Sequence, residues 1–201
     1  MAGDLSAALM RLDEITRRLR KECPWDREQD ERSIVPHTVE EAYELADAAH
    51  SGDDAKLLDE LGDVLFQVYF LALLLEERGQ GSLAEVAERC REKLIRRHPH
   101  VFGEVEAETA SEVVRNWDQI KRDVEGEGEI FGPIPETLPS TLYAKKVLRR
   151  AKAAGHDWSG ARDDPGQVLL AAVREAMEAG ADPELALRQA ADRFRKEVGE
   201  A

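Results

Sequence analysis

The stretch EEAYELADAAHSGDDAKLLDELGD, residues 40–63, decides the fold because two helical segments meet in it at a short turn. A turn as short as HSGD (50–53) makes the two helices antiparallel neighbours. The second segment continues as VLFQVYFLALLL (64–75), about half the roughly 20 residues that a membrane span needs. This run therefore indicates a buried core helix, and the whole stretch predicts a helical hairpin.

Acidic residues accompany the apolar positions on both arms of this hairpin. Glu41 and Glu44 are three residues apart on the first arm, and Glu60 and Asp63 have the same spacing on the second. Residues three or four apart share a helical face, so the two acidic pairs can face each other, with Glu40 as a neighbouring fifth acid. Two carboxylates 4 Å apart repel by roughly 4 kcal/mol at an effective dielectric near 20. We therefore expect a cation to bind among them.

Another interpretation exists for the first arm. The run Thr38-Val39-Glu40-Glu41 fits a capping box, which would place both glutamates in a first helical turn, where acids are favoured by the helix dipole. This explanation fails for Asp63, which lies inside the apolar stretch. None of the five histidines has a matching spacing, so oxygen ligands favour Mg²⁺, with Mn²⁺ as a substitute.

The rest of the chain also predicts helices. Alanine, leucine, glutamate and arginine are plentiful and β-branched runs are nearly absent, which favours an all-α fold. Pro24 ends the first helix, and a loop through residue 32 follows, with Ser33 or Thr38 capping the next helix. The predicted helices cover about 5–21, 39–49, 55–77, 83–97 and 110–124, followed by two or three more beyond residue 140.

A change in composition divides the chain. The segment EGEGEIFGPIPETLPS (125–140) is dense in glycine and proline and indicates an exposed linker. We therefore predict a helical domain over 1–124 and a helical C-terminal region over 141–201. RAKAAGHDW resembles LRKECPWD, so the C-terminal region is either a shortened, degenerate repeat that lacks the paired acids or a chance similarity between arginine-rich helices.

Charge and cysteine content exclude several classes of protein. A net charge of −14 disfavours binding to nucleic acid or to a membrane surface. Two cysteines without CxxC spacing form neither a disulfide framework nor a zinc knuckle, and the N-terminus has no apolar signal segment. We expect a cytoplasmic protein.

A second constellation is basic. Lys93 and Arg97 are four residues apart near a helix end, followed by His98, and Trp117 and Lys121 have the same four-residue spacing. This pattern also has an explanation that involves no function. Cations are favoured at a helix C-terminus, and a tryptophan can simply belong to the core. The functional interpretation is that the cations bind phosphate oxygens while the tryptophan stacks on a base.

Five strings resemble the MazG branch of the all-α nucleoside triphosphate pyrophosphohydrolases. They are CPWDREQ, HTVEEAYEL, DELGDVLFQV, KLIRRHPHVF and NWDQIK, in family order over about residues 9–123. The resemblance implies an antiparallel helical bundle completed by dimerisation. It also implies Mg²⁺-dependent hydrolysis of NTPs or dNTPs to the monophosphate and pyrophosphate.

The resemblance also implies roles for individual residues. The family's metal-binding acids fall on Glu41, Glu44, Glu60 and Asp63, with Glu40 beside them as a further catalytic candidate. Its substrate-side positions fall on Lys93, Arg97, Trp117 and Lys121, and Trp25 and His98 are weaker candidates of the same kind. We assign no catalysis to residues 141–201.

The expected reaction is attack of water at the α-phosphorus in line with the departing pyrophosphate, which would suit removal of non-standard nucleotides. One or two metal ions fit the acid count, and any of the five acids can accept the proton. Two alternatives are a related pyrophosphohydrolase with one narrow substrate, such as phosphoribosyl-ATP or a single dNTP, and a catalytically silent, metal-stabilised binding or regulatory module.

Overall fold

The structure of the chain is a computed structural model that describes residues 4–110, 112–113, 116–117, 119–120, 130–158, 160 and 162–199. These residues form helices joined by turns, and no strand occurs among them, which confirms the predicted all-α fold. The chain divides into two compact units, residues 1–93 and 94–201. The domain boundaries predicted at 124 and 140 remain a proposal.

The first unit is built around a hairpin of two long helices. In chain order the helices are α1 (Leu5–Glu22), α2 (Pro24–Glu28), α3 (Glu31–Ser51), α4 (Asp54–Glu77) and α5 (Leu83–Arg97). The last four residues of α5 belong to the second unit. Gly52 ends α3 with a φ of 71°, a left-handed conformation that glycine adopts without steric cost. The side chain of Asp53 then accepts hydrogen bonds from Ala55 N and Lys56 N and caps α4. The predicted hairpin is confirmed.

Apolar side chains of α3 and α4 form the core of this unit. Ile34, Phe70 and Leu74 are buried together, and Phe66 and Leu71 pack against them. The helix α1 packs on α2 and α4, and its buried Thr16 donates to Leu12 O over 2.9 Å. The core occupies the C-terminal half of α4, whereas Leu58 near its N-terminus is 71% exposed.

The start of α3 corrects the prediction that this helix begins at about residue 39. The Thr38 capping box was wrong, because α3 begins at Glu31 and continues through Pro36. Asp30 accepts a hydrogen bond from Ser33 N over 2.9 Å, and Ser33 Oγ accepts one from Asp30 N over 2.9 Å, so this pair satisfies the first turn. Thr38 lies inside the helix and donates to Ile34 O over 3.3 Å.

The loop predicted for residues 22–32 is also partly wrong, because it contains the short helix α2. Pro24 stands at its first position, where a missing N–H costs nothing and the fixed φ suits a helix. The same proline therefore ends one helix and begins the next.

The second unit includes α6 (Pro99–Phe102), α7 (Ser140–Ala153), α8 (Pro165–Glu178) and α9 (Pro183–Gly199). The described residues between 110 and 120 are helical, as predicted, and positions 121–124 of that predicted helix lie outside the described residues. The helix α7 packs on α8 and α9, with Lys145 Nζ 2.6 Å from Asp182 Oδ2. In the described part of the chain, no helix is both long and apolar enough to span a bilayer.

Candidate active site

Three carboxylates converge where α3 and α4 face each other. Glu41 on α3 and Glu60 and Asp63 on α4 each offer an oxygen, and these oxygens all lie within 4.8 Å of one another. Glu60 is buried at 8% exposure, Glu41 is partly buried and Asp63 is exposed. The hairpin therefore brings acids from both arms together at a point that is open to solvent on one side. We call these three residues the carboxylate cluster.

The position of the carboxylate cluster along α3 tests whether the helix dipole explains the presence of Glu41. The early start of α3 places Glu41 in the third turn instead of the first, since the helix begins at Glu31. Macrodipole stabilisation of acids falls off beyond the first turn. The helix-terminus explanation therefore fails for Glu41 as well as for Asp63.

Electrostatic repulsion within the cluster is visible at Glu41. Burial raises the pKa of this carboxyl group most, and four neighbouring negative charges raise it further. In order of decreasing effect these charges belong to Asp63, Glu44, Glu60 and Glu40. The ionised form of Glu41 is thus less favourable than that of an isolated, exposed glutamate, and a nearby positive charge would offset this effect.

The other two predicted acids lie beside the cluster. Glu44 is exposed and follows Glu41 by three residues on the same helical face, so its charge acts on Glu41 although it is not one of the three converging carboxylates. Glu40 is also exposed, and its Oε2 lies 3.8 Å from His37 Nδ1. The structure therefore brings three of the five predicted acids together and leaves two at the margin.

Trp25 lies in the same unit as the cluster. It is on α2 and is 51% exposed, and its ring meets the ring of His37 on α3 edge-on, with centroids 5.8 Å apart. Sequence reasoning missed His37. The available signal was its position four residues before Glu41, which places it on the same face of α3.

Two of the remaining predicted substrate residues, Arg97 and His98, lie beside Trp117 in the second unit, whereas Lys93 is exposed on α5. Arg97 Cζ lies 5.9 Å from the ring centroid of Trp117, and the His98 ring lies 5.6 Å from the same ring. His100, which sequence reasoning did not single out, lies 5.6 Å from His98. Lys121 lies outside the described residues.

Comparison with known proteins places the chain in a family. Residues 29–102 match the family model of the MazG nucleotide pyrophosphohydrolase domain. A nucleoside triphosphate pyrophosphohydrolase from Escherichia coli K12 is 34% identical over an alignment of 209 positions, gaps included. The alignment covers 89% of this chain and 80% of that protein. The chain belongs to the MazG family.

Two proteins from Thermotoga maritima are also similar to this chain. A nucleoside triphosphate pyrophosphohydrolase/pyrophosphatase MazG is 33% identical over 197 residues, covering 86% of this chain and 76% of the relative. The crystal structure of a mazG-related protein aligns with a TM-score of 0.49 and 26% identity, covering 57% of this chain and 99% of that one.

The matched MazG segment contains all five predicted acids, so the donor set can be tested against a divalent cation. Carboxylate oxygens are the ligands that Mg²⁺ and Mn²⁺ prefer, and no sulfur or imidazole belongs to the carboxylate cluster. Burial and then the neighbouring negative charges raise the pKa of Glu41, and a bound cation would offset the part that comes from those charges. The residues fit a divalent cation of this kind.

Proposed function

We propose that this MazG-family chain is a Mg²⁺-dependent nucleoside triphosphate pyrophosphohydrolase. It converts NTPs or dNTPs to the monophosphate and pyrophosphate by attack of water at the α-phosphorus. The observation that carries the proposal is the carboxylate cluster, because three converging acids favour a bound cation and the transfer chemistry of a triphosphate uses one as well. Mn²⁺ is the expected substitute.

The residues of the first unit have separate tasks in this proposal. Glu41, Glu60 and Asp63 hold the cation, with Glu44 next to them. When bound, Mg²⁺ neutralises phosphate charge and lowers the pKa of coordinated water. One of the five acids accepts the proton from the attacking water, and Glu40 and Glu44 are among the candidates. The partial burial of Glu60 and Glu41 limits water around these charges and so strengthens their interactions.

The substrate-side positions of the family remain proposals for this chain. Lys93, Arg97 and Lys121 supply positive charge to phosphate oxygens, and Trp117 supplies a ring for stacking, with His98 beside it. The contact of Arg97 with the Trp117 ring supports a shared role, because it keeps a cation and an aromatic face in one place. A broad substrate range would suit removal of non-standard nucleotides.

A homodimer and a cytoplasmic setting complete the proposal. Support for a dimer comes from α4, which exposes Leu58, Leu61 and Leu65 along one part of its length. We expect Leu58→Asp to shift the protein from dimer to monomer in analytical ultracentrifugation, because a charge would enter the contact. A wild-type protein that sediments as a monomer at all concentrations would contradict the dimer.

Residues 141–201 are proposed to be structural and not catalytic.

The decisive experiment identifies products and the phosphorus that is attacked. The purified chain is incubated with Mg²⁺ and each common NTP and dNTP in ¹⁸O-labelled water, with EDTA as the control. We expect monophosphate carrying the label and unlabelled pyrophosphate. Label in pyrophosphate would move the attack to the β-phosphorus, and nucleoside diphosphate with phosphate would refute the proposed reaction. Absence of turnover with Mg²⁺ still bound would favour the silent binding module or one special substrate.

A further inference from the structure

An open groove lies between α1, α2 and the C-terminal part of α4. Its volume is about 470 Å³, and every lining residue on α1 and α2 is a cation. The lining consists of four cations, one carboxylate and one apolar residue, namely Arg17, Arg20, Lys21, Arg27, Glu77 and Leu73. Such an excess of positive charge is unexpected on a chain whose net charge is −14. We call these six residues the basic groove.

The basic groove is separate from the carboxylate cluster. Leu73 and Glu77 follow Asp63 by ten and fourteen residues on α4. At the rise of an α-helix they lie roughly 15 and 21 Å further along its axis. None of the lining residues is an acid or a substrate-side position that the sequence predicted for the active site.

Two of the four cations are paired within the fold. Arg20 donates through Nε and Nη2 to both carboxylate oxygens of Glu77, over 2.9 and 2.8 Å. Its Nη1 donates to three carbonyl oxygens at the C-terminal end of α2, over 2.6 to 3.1 Å. Arg17 donates through Nη1 and Nη2 to Glu76, over 3.0 and 2.7 Å. These contacts fix two guanidinium groups at the wall of the groove.

Lys21 and Arg27 are the other two cations. Both are exposed, and within the described ranges neither side chain forms an ion pair or a hydrogen bond. Each lies in the last turn of its helix, where the dipole favours a cation. This preference does not explain why they line one groove, because α2 has only five residues and Arg20 already bonds its last carbonyl groups.

We propose that the basic groove binds a small, multiply charged phosphate anion, with Lys21 and Arg27 as its principal contacts. Like charges that line one groove repel each other, and an anion between them removes this repulsion. The paired donors of a guanidinium match phosphate oxygens, and a lysine adds a compact charge. A long nucleic-acid backbone fits less well, because the rest of this acidic chain would repel it.

The test uses inorganic pyrophosphate as the probe and does not require turnover. Pyrophosphate is titrated calorimetrically into the full chain in buffer freed of divalent cations by a chelating resin, because EDTA is itself an anion. Without a cation the carboxylate cluster repels the probe, so binding reports the rest of the surface. We expect saturable binding of one pyrophosphate per chain that weakens as KCl is added, since salt screens exposed charges.

Variants locate the bound probe. Lys21→Gln and Arg27→Gln should each weaken pyrophosphate binding about 5- to 30-fold, the range for loss of one charge-assisted hydrogen bond near the surface. Arg11→Gln and Arg32→Gln are matched controls, because they remove the same charge from exposed positions outside the groove. They should leave the affinity within about twofold, since the charges lie further from the probe and are screened. Glu77→Gln should tighten binding, because it removes the carboxylate from the lining.

Four results would overturn the proposal. They are absence of binding at millimolar pyrophosphate, an unchanged affinity in both groove variants, equal weakening in the Arg11→Gln control, and weaker binding in Glu77→Gln. Citrate, whose charge is similar, tests the chemistry of the ligand. We expect it to bind more weakly, and equal affinity would show that the groove takes any polyanion and would refute the phosphate assignment.

A last pair of variants separates this site from the proposed active site. Lys93→Gln and Arg97→Gln should leave pyrophosphate binding unchanged. If they weaken it while Lys21→Gln and Arg27→Gln do not, the probe binds at the proposed substrate positions and the basic groove is excluded. If no nucleotide is hydrolysed but the groove variants still weaken pyrophosphate binding, the proposed function fails and the anion site stands.

Discussion

Glu41 and Asp63 belong to different helices, yet each offers a carboxylate oxygen that lies within 4.8 Å of the other. The turn at Gly52 and Asp53 makes α3 and α4 antiparallel, so the third turn of one helix faces the third turn of the other. Glu60 completes the group from a buried position. Carboxylates this close are stable together when a proton or a cation reduces their charge, and this requirement leads to the first three predictions.

Glu60→Gln should remove turnover without unfolding the chain. The amide keeps the size of the buried side chain but withdraws a charged ligand from the proposed cation. Because loss of partners that merely support ligands reduces metal affinity or activity by 10- to 100-fold, we expect a reduction of about 100-fold or more. Pyrophosphate release measures the effect, and Glu14→Gln on the exposed face of α1 is the matched control. Activity close to that of the wild type would exclude Glu60 from the site.

Glu41→Gln should change stability in opposite directions with and without metal. In EDTA at neutral pH the variant should be more stable than the wild type, because burial and neighbouring charges raise the pKa of Glu41 and disfavour its ionised form. In Mg²⁺ the wild type should gain stability by ligand binding, about 2.7 kcal/mol at 100 times the dissociation constant. The variant should gain much less. Urea denaturation in both buffers measures this reversal, and equal gains in Mg²⁺ would contradict it.

The contribution of Glu44 should be smaller than that of the three converging acids. Glu44 is exposed and outside the carboxylate cluster, although its charge raises the pKa of Glu41. We expect Glu44→Gln to weaken Mg²⁺ binding less than Asp63→Asn does. Calorimetric titration of Mg²⁺ into each variant gives this order, and Glu40→Gln should have the smallest effect. A larger loss for Glu44→Gln would mean that its side chain moves into the site when the metal binds.

The convergence of Glu41, Glu60 and Asp63 could be predicted from the sequence because the pattern of these acids is local. Residues three apart share a helical face in any helix, so Glu60 and Asp63 could be paired before the fold was known. A short turn then fixes the antiparallel arrangement of the two arms. The bounds of α5 were predictable for the same reason, since helical periodicity acts over a few residues.

The contacts of α2 and the start of α3 could not be predicted in this way. Pro36 and Thr38 resemble a helix start, but the Asp30–Ser33 capping box begins α3 earlier and the helix continues through the proline. The approach of Trp25 to His37 depends on where Arg20 holds α2, which is a tertiary contact among three helices. Sequence spacing carries no signal for an interaction of that kind.

Glu77→Gln should lower the free energy of unfolding by an amount that depends on pH. Its hydrogen bond with Arg20 lowers the pKa of the Glu77 carboxyl group below its ordinary value of 4.5. An acid with a lowered pKa in the folded state contributes stability that is fully present above 4.5 and is lost as the pH falls through the lowered pKa. The wild type should therefore be more stable than Glu77→Gln at pH 7, and the difference should shrink as the pH falls below about 4.5.

Glu76→Gln is the matched control for this effect, because Glu76 pairs with Arg17 on the neighbouring turn and its pKa is lowered in the same direction. The side chain of Arg17 is 41% exposed and that of Arg20 is 19% exposed, so solvent screens the Arg17 pair more. We expect a loss below about 1 kcal/mol for Glu77→Gln and a smaller loss for Glu76→Gln. Urea denaturation at a series of pH values measures both. A difference between the wild type and Glu77→Gln that stays constant down to pH values well below 4.5 would show that the carboxylate charge is not what holds Arg20.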